Sequence, residues 1–162
     1  MIRRKNSRLH AGKRFQCRTG AYRYGCADCT GTAAELFKDR EKAEQSLREY
    51  HAFYLRELVN ASTGLVCNCS GKDNSYFRLY NYPWAVTFFL ECWKLWGEKE
   101  DLKTAVHITE KFYEQDGFRF YPIEMPIVML CHELEKAGEQ EDLKTVRDLF
   151  RRHADQLIEI GT

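Results

Sequence analysis

An all-α fold of stacked antiparallel helical hairpins, arranged in an inner and an outer layer, is predicted by two features of the sequence. Helical segments that are apolar on nearly all sides alternate with segments that are apolar on one face only. A turn motif also recurs. Gly97-Glu-Lys-Glu-Asp-Leu-Lys-Thr104 matches Gly138-Glu-Gln-Glu-Asp-Leu-Lys-Thr145 at seven of eight positions, 41 residues apart. A weaker copy begins at Lys38-Asp39-Arg40-Glu41. A period of this length marks helical hairpins stacked on one another.

The elements follow in order. Residues 1–20 show no periodicity and form a basic segment outside the fold; the hairpin domain is expected over 21–162. From Tyr22 to Phe37 small residues predominate, as in a closely packed helix with an irregular start. Residues 40–60 carry Ala43, Leu47, Tyr50, Tyr54 and Leu58 at spacings of three and four, which predicts an amphipathic helix. Ala61-Ser62-Thr63-Gly64 ends it. A long polar, aromatic loop follows, with Leu65-Val66 and Tyr76-Phe77 as short extended pieces.

Residues 83–96 read as a helix that must be covered all round, since Trp84, Val86, Phe88, Phe89, Leu90, Cys92, Trp93, Leu95 and Trp96 leave little polar surface. Glu91 lies within it, where burial would raise its pKa. A one-faced helix is expected over 100–115, a turn at Asp116-Gly117 and an extended piece at Phe118–Tyr121. Pro122 to Glu135 is again apolar, and residues 140–159 form a last one-faced helix. Apolar-all-round helices belong inside and one-faced helices outside.

Composition limits the function. The net charge of +1 conceals an asymmetry: eight basic residues precede the first acid, Asp28, so the remainder carries 17 bases against 24 acids. An acidic body does not have the footprint of a nucleic-acid binder. No apolar segment of signal-peptide or membrane-span type is present, so no membrane partner and a reducing cytoplasm are expected. Cys92 and Cys131 sit in apolar helical patterns, as small core residues do. A zinc site from Cys26, Cys29, Cys67 and Cys69, with Cys17 or His51, competes with core and loop thiols. The long gap from 29 to 67 favours thiols, and neither metal nor cofactor is expected. His10, His51, His107, His132 and His153 show no ligand spacing.

Four stretches resemble the six-hairpin glycosidases, which have an α/α toroid fold. They are Cys26-Ala-Asp-Cys-Thr-Gly-Thr-Ala-Ala-Glu-Leu-Phe37, Ser62-Thr-Gly-Leu-Val66, Tyr80-Asn-Tyr-Pro-Trp-Ala-Val-Thr-Phe-Phe-Leu90 and the Gly97-Glu-Lys-Glu-Asp-Leu102 turn. The resemblance spans about residues 22–160 and implies three hairpins, half of an α/α toroid. Open ends of such an array expose apolar flanks, so self-association or the remainder of a longer toroid is expected to cover them.

In such a ring the loops before the inner helices converge on a cleft. This implies a substrate-binding set of Asn68, Asn74, Tyr76, Arg78, Tyr80, Asn81, Tyr82, Trp84, Arg119 and Tyr121, with Asp28, Asp73 and Glu124 as candidate catalytic acids. Aromatic faces stack on sugar rings, amides and guanidinium groups bond hydroxyls or carboxylates, and glycoside hydrolysis needs two carboxylates across the scissile bond. The implied partner is a carbohydrate or oligosaccharide. A non-catalytic helical-repeat interaction module is the alternative.

Overall fold

The computed structural model describes residues 39–75, 78–120 and 125–161. The 22–37 helix, the basic segment, and Asp28, Tyr76, Tyr121 and Glu124 lie outside the described residues. The described chain is an all-α array: α1 (Arg40–Glu57), a two-stranded hairpin of β1 (Val59–Asn60) and β2 (Leu65–Val66), α2 (Asn81–Trp96), α3 (Lys99–Glu114), a 3-10 turn (Gly117–Arg119), α4 (Ile127–Ala137) and α5 (Gln140–Gly161). Consecutive helices pair as antiparallel hairpins, giving the two-layered, toroid-like architecture expected.

Local chemistry sets the ends. Asp39 caps α1 by accepting from the Lys42 amide at 3.2 Å. The β1–β2 hairpin pairs Val59 with Val66 and Asn60 with Leu65. Its turn is closed by Asn60 Oδ1, which accepts from the Ser62 and Thr63 amides and from the Ser62 hydroxyl. Gly64 follows at φ +68°, with its α-carbon against the backbone of α3. His107 Nδ1 donates to Ala61 O at 2.8 Å and pins the same turn to α3. Gly97 and Gly138 end α2 and α4 in the left-handed conformation that glycine adopts without strain.

The core forms where α2 meets α1 and α3. Phe89, Leu90, Val86, Ile108 and Phe112 are fully enclosed. Phe88 meets Tyr50, Tyr54 and Phe89 at ring-centroid distances of 5.5, 4.9 and 5.4 Å. Each such side chain contributes about 1.5–3 kcal/mol by leaving water.

Burial departs from the expected sorting. The segment around α3, expected to be one-faced, is closely enclosed: nine of its residues are buried, including Asp101, Thr104 and Thr109. It lies between α2, α4, α5 and the β-hairpin, so neighbours reach it from several sides. Conversely α4, expected to be covered all round, buries only Ile127, Leu130, Glu133 and Leu134, and leaves Val128 81% exposed. It stands at the end of the described array. Glu91, expected inside, is exposed and pairs with Lys94 at 2.6 Å. The expected extended piece at 118–121 is instead the 3-10 turn through Arg119, after which Phe120 is extended.

His153 fastens α5 to this turn. Its Nε2 lies 3.1 Å from Phe120 O, and a carbonyl only accepts, so Nε2 carries the proton. Nδ1 is then the acceptor for the Tyr113 hydroxyl at 3.3 Å.

Two expectations follow from these anchors. A β-carbon at residue 64 would come within 1.9 Å of His107 O, at a φ that L residues avoid. Gly64→Ala should therefore cost about 3 kcal/mol in urea unfolding. Burial holds His153 below its ordinary 6.5, so the unfolded chain binds that proton more readily. Its contribution to stability is full above pH 6.5 and is lost as pH falls below it. Urea midpoints measured between about pH 7.5 and 5.5 should fall on acidification, and less steeply in His153→Gln.

Candidate functional site

The loop between β2 and α2 is built at the N-terminal end of α2. The Asn68 and Cys69 amides both donate to Asp73 O, at 3.2 and 3.3 Å, closing a tight turn over Gly71 and Lys72. Those two residues have φ of 76° and 55°. Glu57 ties the turn to α1: its carboxylate accepts from the Gly71 amide and its backbone oxygen from the Lys72 amide, both at 2.7 Å. Asp73 Oδ1 accepts from the Ser75 amide at 2.9 Å. That bond, more than any other influence, holds the exposed Asp73 carboxyl below the usual carboxylate range.

Asn81 Nδ2 donates to Asn68 Oδ1 at 2.8 Å, joining the first turn of α2 to the loop. Asn68, Asn81 and Trp84, with Tyr54, Leu58, Val66 and Cys67, line a narrow crevice of about 10 Å³, room for about one water. Most of its wall is apolar. In the same loop Asn74 Oδ1 is buried without a hydrogen-bond partner.

The α2 end also meets the turn after α3. Tyr80, 40% exposed, stands edge-on against Phe120 with centroids 4.8 Å apart. Arg119, exposed, lies in that same turn, 3.6 Å from Asp116. Arg78 is half-buried in the loop just before α2. Asn68, Arg78, Tyr80, Asn81, Trp84 and Arg119 are thus carried by one end of α2, the loop before it and the neighbouring turn.

Tyr82 differs from the rest of the expected set. It is fully buried, donating to Gln115 and accepting from the Val66 amide at 3.4 Å. Burial pushes its hydroxyl up to about 12. Tyr82 supports the loop from beneath, and its ring presents no surface to a ligand. Asp28, Tyr76, Tyr121 and Glu124 lie outside the described residues.

At the opposite end of α2 a second cluster forms. His51 of α1, Cys92 of α2 and Asp101 of α3 bring a ring nitrogen, a sulfur and a carboxylate oxygen within 4.8 Å of one another. No short motif announces it, because each residue comes from a different helix. The signal available in the sequence was a polar Asp and His at positions that the helical pattern turns inward.

Comparisons with known proteins agree with the architecture. No family model matches the chain, and no curated protein matches it. Among solved structures, one described as a polysaccharide lyase is similar, with a TM-score of 0.69 and 22% sequence identity. The match covers 79% of this chain and 19% of that one. The likeness is one of fold, and the chain spans about a fifth of that enzyme's length. Among the described residues, no helix is long and apolar enough to cross a membrane.

Proposed function

We propose that this chain is a carbohydrate-active unit that holds a polysaccharide across the N-terminal end of α2. The observation that carries the reading is the surface around the mouth of this crevice, where the hydrogen-bonded Asn68–Asn81 amide pair stands with the half-buried Trp84. An indole face takes the apolar face of a sugar ring, and amides beside it take the hydroxyls. Tyr80 and Phe120 extend the aromatic surface towards Arg119. The start of α2 adds partial positive charge, which suits uronic acids. The fold likeness to a polysaccharide lyase and the resemblance to six-hairpin glycosidases support the same ligand class.

Binding is the part of this reading that the geometry supports best. Asp73 is ionised and committed to its turn, which suits electrostatic contact with a sugar better than proton donation. Hydrolysis by Asp28, Asp73 and Glu124 is the catalytic form of the proposal.

Titration calorimetry against neutral and uronic-acid polysaccharides tests it. Trp84→Ala should weaken binding about 30-fold, the loss expected of a buried aromatic anchor, with helix content unchanged. Equal affinity in Trp84→Ala, or no polysaccharide bound by the parent chain, would sink the reading. Loss of turnover in both Asp73→Asn and Glu124→Gln, with binding retained, would support the catalytic form; turnover surviving both would reject it.

A second observation supports self-association. Val128, Ile158 and Ile160 are 81, 65 and 65% exposed on the last hairpin. An apolar edge of this kind favours a covering partner. Light scattering should show a dimer or larger species, reduced by Val128→Lys with Ile158→Lys. A monomer at all concentrations would reject it.

A further inference from the structure

We propose that His51, Cys92 and Asp101 form a binding site for a late first-row divalent transition metal of the zinc class, joining α1, α2 and α3. The site is separate from the carbohydrate crevice. At about 1.5 Å per helical residue, Cys92 is about 16 Å along α2 from Asn81.

The donor set has the right chemistry. Imidazole nitrogen, thiolate and carboxylate are the side chains that bind zinc, at about 2.0–2.3 Å. Such bonds put tetrahedral donors about 3.3–3.8 Å apart. His51 Nε2 lies 2.6 Å from Asp101 Oδ1, and all three donor atoms fall within 4.8 Å. Loading therefore needs donor movements of about 1 Å or less, opening the His51–Asp101 contact and drawing Cys92 inward.

An independent observation points to a ligand. Asp101 is 3% exposed, yet its Oδ2 is buried without any hydrogen-bond partner. An unpaired carboxylate oxygen away from water is costly, and a cation is the strongest partner it can find. Charge also balances. A divalent ion with one thiolate, one carboxylate and one neutral imidazole is neutral, as a buried site requires. The surroundings are closed on one side by the Trp96 ring, 5.4 Å from His51, over which Arg48 stacks at 4.3 Å.

The chain supplies its own control. Asp142 holds in α5 the place of Asp101 in α3, since both belong to the repeated turn. Glu110 is the twelfth residue of α3, as His51 is of α1. Cys92 matches Glu133 by the same period. Glu110 and Asp142 are only half-buried, and Glu133 is held by Trp93 Nε1 at 3.2 Å and Lys136 Nζ at 3.1 Å. An aspartate in the first turn thus needs no buried cysteine and histidine. That combination is specific to the first niche. Burial keeps Cys92 a thiol, pushed up to about 12 with further help from Asp101, which argues against a nucleophile. A bound ion displaces that proton.

Cobalt(II) titration of the reduced, metal-stripped full chain tests the site. One equivalent should give a thiolate-to-cobalt charge-transfer band that one equivalent of zinc(II) abolishes. The band should vanish in Cys92→Ala and persist in Cys67→Ser with Cys69→Ser. Asp101→Asn, which keeps the shape of the side chain, should weaken cobalt binding at least about tenfold. Absence of the band in the parent chain overturns the proposal. A band that survives Cys92→Ala, or is lost only with Cys67 and Cys69, overturns it equally. Unchanged affinity in Asp101→Asn does the same.

Discussion

The structure depends on enclosing α2. A sixteen-residue helix with this much aromatic and aliphatic surface cannot face water, and Phe88, Phe89, Leu90 and Val86 are covered by α1 and α3 together. Neither neighbour could do this alone. The antiparallel pairing with α3 follows from the short Gly97 turn, and the return of α1 follows from the β-hairpin, whose turn lies against the backbone of α3 at Gly64. The polar contacts at the periphery, from Asn60, His107 and His153, fix where the elements stop and how they meet. Their individual contributions are of order 1 kcal/mol, smaller than the apolar burial they position.

Much of this was legible in the sequence because it is local. Spacings of three and four residues located α1, α3 and α5, and glycines located the ends of α2 and α4. The 41-residue repeat gave the hairpin architecture. What was not legible depends on place within the array. The stretch Leu102–Tyr113 has one strongly apolar face, but several elements surround it, so Thr104 and Thr109 are buried too and satisfy themselves by bonding back to the Glu100 and Ala105 carbonyls. The stretch Ile127–Leu134 looks apolar all round, but α2, α3 and α5 do not surround it and Val128 stays exposed. Periodicity reports which faces can be buried, and neighbours decide which are.

The same distinction explains the site residues. Asn81, Trp84, Tyr80 and Asn68 were legible as a group because they flank the start of one helix, so proximity in sequence became proximity in space. Tyr82 sits among them yet points inward, since α2 turns by about 100° per residue and carries residue 82 round to the core side. Asp73 carries the residue type of a catalytic acid, but its carboxylate already accepts from the Ser75 amide of its own turn. His51, Cys92 and Asp101 were beyond reach because their grouping depends on how three helices cross.

The two ends of α2 consequently differ in what they hold. At the N-terminal end polar groups satisfy one another, as Asn81 does Asn68 and Gln115 does Tyr82, and the surface left over is aromatic and shallow. At the C-terminal end Asp101 brings a carboxylate into the interior, and the hydrogen bond to His51 satisfies only one of its oxygens. Apolar packing does not explain that residue, because a carboxylate gains nothing by leaving water. Removing a buried charge's partner is expensive, whereas replacing the whole polar group with packed apolar atoms often is not. A carboxylate, an imidazole and a thiol meeting inside the α1–α2–α3 junction therefore require a physical reason to be polar. A cation held at that junction supplies one and also ties the outer helices to the α2 that both enclose.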